Sequence, residues 1–209
     1  MEPLNNSVMK ASRKTKTDEF ALEDMYTELE NLSIGDFGFV KTGLRKESGR
    51  KETIKVIVKR KFDAHVIERK LNCLQLLSTY CSEKTNTGLP NEVGSIYWYK
   101  DTEKKIYIGS EFVQGTELQK LVLTKGPLSS FQVQHIIASL AKVIQGYQDV
   151  GLVYTDIRAE KILVTGNTDS LPDKNVPIKI IDNGNSVPAE KGVVSQVEFA
   201  KIYPKVRFV

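Results

Sequence analysis

The sequence predicts an α+β fold, in which a complete β-rich lobe carrying one helix is followed by a partial, mainly helical lobe. From Leu29 to Tyr99, short runs rich in β-branched residues dominate and are interrupted by one helical pattern. After Gly115 the apolar spacing changes, and Ser129 to Val150 carries the helical period. Strands and helices are therefore segregated along the chain, the order expected of an α+β architecture.

The elements follow in order. Residues 1–25 are polar without sustained apolar periodicity and read as a flexible tail. Leu32 to Leu44 reads as two strands meeting at a glycine-containing turn, and Thr53 to Arg60 as a β-branched strand. Between Ala64 and Leu77 the pattern turns helical, with Val66, Ile67, Leu71, Leu74 and Leu77 on one face. Gly88 and Pro90 mark a loop. Ser95 to Tyr99 and Lys105 to Val113 read as a further strand pair. In the long second helix, Val133, Ile136, Ile137, Leu140, Val143, Ile144 and Tyr147 form the stripe, with Ser129 or Ser130 as its cap. Short strands are expected over Lys161 to Thr165 and Ile178 to Ile181, around a turn-rich insert.

Composition narrows the class. The chain has 209 residues, 40% hydrophobic and 27% charged, as in ordinary globular proteins. No apolar run reaches the roughly 18 residues that a bilayer-spanning helix needs. The N-terminus lacks the apolar core of a secretory signal, so a cytoplasmic protein is expected. The net charge of +4 is small, and its basic clusters at Arg13 to Lys16 and Arg45 to Lys61 read as solvated faces. No nucleic-acid partner is expected on that basis. Cys73 lies in the first helical pattern and reads as a buried, reduced thiol; Cys81 has no ligand-like neighbours either.

Four local features carry chemistry. Leu32-Ser-Ile-Gly-Asp-Phe-Gly-Phe-Val40 places glycines at a strand turn, where backbone amides approach a polyphosphate closely; a plain hairpin would use the same residues. Lys59 ends the β-branched run and Glu68 lies on the following helix, a pair suited to holding phosphate oxygens or else two unrelated surface charges. Tyr154-Thr-Asp-Ile-Arg-Ala-Glu-Lys-Ile-Leu-Val164 sets Asp156 in a loop after the long helix, where a carboxylate orients a hydroxyl and accepts its proton. Ile180-Ile-Asp-Asn-Gly184 sets Asp182 directly after a buried strand, a position suited to a hard cation.

In this order and at these spacings, the four features resemble the protein-kinase superfamily from about residue 29 to the end of the chain. Gly35, Phe37, Gly38 and Val40 match the glycine loop. Val56-Ile-Val-Lys59 resembles the VAIK strand, and Glu111-Phe-Val-Gln-Gly115 resembles the hinge. Asp156 matches the HRD aspartate, and Asp182-Asn-Gly184 matches DFG. The resemblance implies an N-lobe over 26–110, a hinge over 111–115 and a partial C-lobe over 116–209. It implies an ATP cleft roofed by Leu32 and Val40 and floored by Leu163. Glu111 and Val113 would meet the base, with Ser110 as a small gatekeeper. Lys59, held by Glu68, would bind phosphates; Asp182 would hold Mg²⁺; Asp156 would position the acceptor hydroxyl of a protein substrate. For Val40, Val113 and Leu163, ordinary core packing is an equally complete account.

The departures bear on activity. Ser33 replaces the first glycine, Tyr154-Thr155 replaces His-Arg, and Asn183 replaces the DFG phenylalanine. Without the arginine, the usual clamp for a phosphorylated activation loop is missing. Lys161 stands where the family has its Mg²⁺-binding asparagine, and a charged ammonium offers no lone pair to a metal. Arg158 in the Asp156 loop and the stretch Tyr203-Pro-Lys-Val-Arg-Phe-Val209 resemble tyrosine kinases. The chain stops about where the APE motif is expected, leaving a C-lobe for a partner to cover. Two readings result: a pseudokinase or truncated kinase acting by protein contact, or a fragment of an active kinase that transfers the γ-phosphate of ATP to a protein hydroxyl.

Overall fold

The computed structural model describes residues 20–35, 38–82, 89–172, 175–182 and 186–189. The chain enters through a one-turn helix, α1 (Leu22–Met25), and β1 (Tyr26–Gly35). The packed region thus begins before the predicted boundary at residue 26: Leu22 is buried, and Phe20 and Met25 pack on the same cluster. The remainder of the predicted tail, 1–19, lies outside the described residues. β2 (Gly38–Arg45) pairs antiparallel with β1, with Gly35 opposite Gly38 across the turn. Gly38 has φ +156, and a Cβ there would fall 1.8 Å from the Val56 carbonyl oxygen, so only glycine fits.

β3 (Lys51–Val58), β4 (Ile96–Asp101) and β5 (Lys105–Glu111) complete a five-stranded antiparallel sheet in the order β1-β2-β3-β5-β4. The two faces of this sheet feed different cores, as the two-residue strand period requires. Ile54, Val56 and Tyr107 pack outward with Leu22 and Tyr26. Ile57, Ile106 and Ile108 pack inward against α2 (Ala64–Ser82), through its Cys73, Leu74 and Leu77. Lys55 shares the parity of Ile57 and so belongs to the inward face. Cys73 is a free, buried thiol, as expected, and donates to the Ser186 carbonyl at 2.8 Å.

The second lobe begins with β6 (Thr116–Glu117) and α3 (Leu118–Lys125), neither of which the apolar pattern had marked. α4 (Ser130–Asp149) is the predicted long helix. Ser129 is its cap: its Oγ accepts from the Gln132 amide at 3.2 Å, while the Gln132 side chain accepts from the Ser129 amide at 2.9 Å. Ile136, Val143 and Tyr147 are buried, whereas Val133 and Ile137 of the predicted stripe are exposed. β7 (Leu152–Val153), β8 (Ile162–Val164), β9 (Ile178–Ile180) and β10 (Val187–Pro188) form two small sheets, β6-β8-β9 and β7-β10. No helix among the described residues is long and apolar enough to cross a membrane.

The lobes are joined by backbone as well as side chains. The Ile180 amide donates to Glu92 at 2.6 Å, and the Gly94 amide donates to Ile180 at 2.9 Å. This short parallel bridge ties the segment before β4 to β9, immediately ahead of Asp182.

The outer core of the sheet is built around a buried carboxylate. Glu52 is fully buried and accepts from Tyr26 Oη at 2.5 Å, from Trp98 Nε1 at 3.1 Å and from Arg50 Nη2 at 2.8 Å. Burial and the bond to Glu52 push the Tyr26 hydroxyl up to about 12, so Tyr26 is the donor at any physiological pH. Glu52→Ala would leave all three donors without this acceptor. It is expected to cost about 3 kcal/mol in urea unfolding, the scale of breaking a buried ion pair; a loss under about 0.5 kcal/mol, the level of a surface change, would contradict this account.

Candidate functional site at the lobe junction

Four elements bring charged side chains to one place. β3 supplies Lys55, α2 supplies Lys70, the segment between β7 and β8 supplies Asp156, Arg158 and Lys161, and the end of β9 supplies Asp182. Two backbone bonds set the last two side by side. The Lys161 amide donates to Arg158 at 2.9 Å, closing a 3₁₀ turn over Ala159–Lys161. The Ile181 amide then donates to the Lys161 carbonyl at 2.9 Å. Asp182 itself has φ +63, a left-handed conformation that Asp tolerates better than most residues.

The side chains form a connected ionic network. Lys161 is buried and pairs with Asp156, which is 2% exposed. Its Nζ also lies 2.9 Å from Asp182 Oδ2. The other Asp182 oxygen, Oδ1, accepts from Lys55, a contact that spans the two lobes. Arg158 Nε pairs with Asp156 Oδ1 at 2.8 Å. Burial alone would raise Asp182, but the ammonium groups of Lys55, Lys161 and Lys70 outweigh it and hold the carboxyl well below the usual range. Burial lowers Lys161, with Asp182 opposing and Lys55 adding to the shift.

Lys70 is the residue that sequence reasoning passed over. It lies on the buried stripe of α2 with Cys73, Leu74 and Leu77, at the i, i+3, i+4, i+7 spacing of one helical face. Burial drops its ammonium from an ordinary 10.5 to about 7, with Lys55 and Lys161 adding to the shift and Asp182 opposing it.

The predicted pair of Lys59 and Glu68 is not assembled. Lys59 lies beyond the end of β3, where its amide donates to Lys104 at 2.9 Å and its Nζ pairs with Asp101 at 2.5 Å. Glu68 is exposed on α2. Lys55 occupies the position facing Asp182 instead, and Lys70 projects from α2 where a carboxylate was expected. The signals were present: Lys55 sits mid-strand with inward parity, and Lys70 falls on the apolar stripe.

The other expected residues are placed as follows. Val40 is half-buried and lies directly across from Lys55 in the β2–β3 register. Ser110 lies opposite Thr53 and donates to its carbonyl at 3.3 Å. Glu111 accepts from the Ser95 amide at 3.2 Å and pairs with Lys179 of β9 at 2.9 Å, so the segment entering the second lobe is anchored to it. Val113 is half-buried, Leu163 is buried, and Leu32 is 61% exposed. Phe37, Asn183 and Gly184 lie outside the described residues, as does 190–209 with its expected Tyr203 motif. A hollow of about 500 Å³ opens at Gln114, Gly115, Thr116 and Gly166, beside the hinge segment and apart from the charged network.

Residues 26–203 match the family model described as protein kinase domain. The chain belongs to the protein kinase family. It is 30% identical over 181 residues to calcium-dependent protein kinase 29 of Arabidopsis thaliana, covering 85% of this chain and 30% of that protein. It is 27% identical over 168 residues to serine/threonine-protein kinase 33 of Bos taurus, covering 80% and 33%. Calcium-dependent protein kinase 5 of Plasmodium falciparum is 27% identical over 164 residues, covering 78% and 26%. The chain spans about a third of the length of these curated relatives. Their names do not support the tyrosine-kinase leaning drawn from Arg158 and the terminal stretch.

Protein kinases use ATP with Mg²⁺, and the donor set here can be tested against the ion. Mg²⁺ demands near-octahedral oxygen ligands. Both Asp182 oxygens are already engaged, by Lys55 and Lys161. A divalent ion about 4 Å from the Lys161 ammonium would be repelled by about 8 kcal/mol at an effective dielectric of 20. Among the described residues no cluster of three His, Cys, Asp or Glu side chains could hold a metal. The residues present do not fit Mg²⁺.

The Lys70 shift has a definite sign. The folded protein releases this proton near pH 7, whereas the unfolded chain holds it to about 10.5. Between those values the unfolded state binds more protons, so wild-type stability climbs with pH. Lys70→Met is expected to be more stable than wild type at pH 6, by on the order of 2 kcal/mol or more, with the gap closing toward pH 10. Urea unfolding across that range checks it; parallel pH profiles would refute it.

Proposed function

We propose that this protein kinase domain has lost efficient phosphoryl transfer and works as a pseudokinase, through protein contact. The observation supporting this is the Lys161 ammonium between Asp156 and Asp182. Transfer needs a carboxylate free to orient the acceptor hydroxyl and positive charge placed on the transferring phosphate. Here Asp156 is already engaged by Lys161 and Arg158. Asp182 is engaged by two lysines, and Lys70 replaces the helix carboxylate that would orient Lys55. A surface suited to contact is also present. Leu123 of α3 is 78% exposed, and Phe131 and Ile137 of α4 are 60% and 58% exposed.

The rival reading is a segment of an active kinase, supported by the convergence of Lys55, Asp156 and Asp182 in family order. Radiolabelled ATP with Mg²⁺ or Mn²⁺, offered with casein, myelin basic protein and a Glu-Tyr copolymer, separates the two. The expected result is no transfer, to substrate or to the chain itself, above an Asp156→Asn background. Transfer abolished by Asp156→Asn would install the active reading instead.

A further inference from the structure

We infer that the charged network takes a triphosphate chain without a divalent cation, the Lys161 ammonium standing in the metal's place. This rests on the reading of the site as one that no longer performs efficient transfer.

The misfit to Mg²⁺ is itself informative. A site that had only lost its metal would be left with unpaired carboxylates. This one holds cations instead: Lys161 and Lys55 converge on Asp182, one on each carboxylate oxygen. Among the described ion pairs of this network, three cations, Lys55, Lys161 and Arg158, contact two carboxylates, Asp156 and Asp182. Counted over these described pairs, the cations exceed the carboxylates by one. Phosphate oxygens are the matching ligand, because lysine binds them as a mobile point charge.

Access agrees with this chemistry. The Lys55 side chain is 29% exposed, enough to exchange Asp182 for a phosphate oxygen, whereas Lys161 at 7% acts from beneath. Val40 lies across from Lys55, and Gly38, paired with Gly35, is two residues away along β2.

The charge balance fixes the sign of the metal effect. Mg²⁺ cancels two negative charges on a triphosphate. A cationic site without metal ligands therefore prefers the bare chain, the reverse of a metal-dependent kinase.

Calorimetric titration of the full chain, with a non-hydrolysable ATP analogue and with inorganic tripolyphosphate, tests this in EDTA and in excess Mg²⁺. The wild type is expected to bind in EDTA about threefold or more tightly than in Mg²⁺, with affinity falling as salt rises. Binding of the analogue alone identifies a nucleotide as the source, and equal binding of both probes a bare polyphosphate. Lys161→Asn is expected to lose about tenfold in EDTA and to bind more tightly with Mg²⁺ than without, the loss of one charge-assisted hydrogen bond. Lys55→Met, altered at a more exposed side chain, keeps the test open should the Lys161 variant not fold, and is expected to weaken EDTA binding similarly. Tighter wild-type binding in Mg²⁺, or no binding of either probe in EDTA, would overturn the inference. If neither probe binds and no transfer is seen, the contact reading survives alone; Mg²⁺-dependent binding with transfer removes both.

Discussion

The Lys161 ammonium, buried between Asp156 and Asp182, is the contact on which the rest of the site depends. It is covered by protein and touches both carboxylates. Without it, two acidic groups would lie close together with one of them, Asp156, buried. With it, they become the acceptors of a network that continues through Asp182 to Lys55 and the sheet of the other lobe. One side chain thus supports the local fold, crosses the lobe boundary through its partner, and engages an oxygen of each carboxylate. Removing either aspartate would leave the buried lysine with a single carboxylate, which is why structure and chemistry are difficult to separate here.

The two lobes meet through a second device, a backbone bridge reinforced by one ion pair. The segment Glu92–Gly94 adds a short parallel bridge to β9, and Lys179 of the same strand pairs with Glu111 at the entrance to the second lobe. β9 is therefore tied to the sheet on both sides. Asp182 follows it immediately, so its position is inherited from backbone hydrogen bonds as much as from its charge partners. Packing Cys73 against the Ser186 carbonyl fixes α2 to the same stretch. Lys70, one turn before Cys73, is carried into the network by the burial of its neighbours, and the desolvation of its ammonium is the cost of that placement.

A contrasting arrangement holds the outer sheet core. Glu52 is as buried as Asp156, but its partners include two neutral donors, Tyr26 and Trp98, and a half-exposed arginine. The charges there balance within the lobe and leave nothing for a ligand. At the lobe junction they do not balance. That difference, rather than the number of ionic contacts, separates a structural network from a candidate site.

Much of the fold was legible from local pattern. β-branched runs marked the sheet, the helical stripe and its serine marked α4, and glycines marked the β1–β2 turn. Asp156, Lys161 and Asp182 were placed by their short, motif-like surroundings. What the sequence did not determine was which of two similar candidates faces inward. Lys55 and Lys59 have the same strand parity, so a two-residue period does not separate them; only the point where β3 stops pairing with β5 does. Glu68 and Lys70 lie about 200° apart around α2, and motif spacing favoured the carboxylate. The packing of Cys73, Leu74 and Leu77 set the helix phase and turned Lys70 inward. Residue identity and local period are properties of the chain itself, whereas register and helix phase are decided by the neighbouring elements against which each surface is buried.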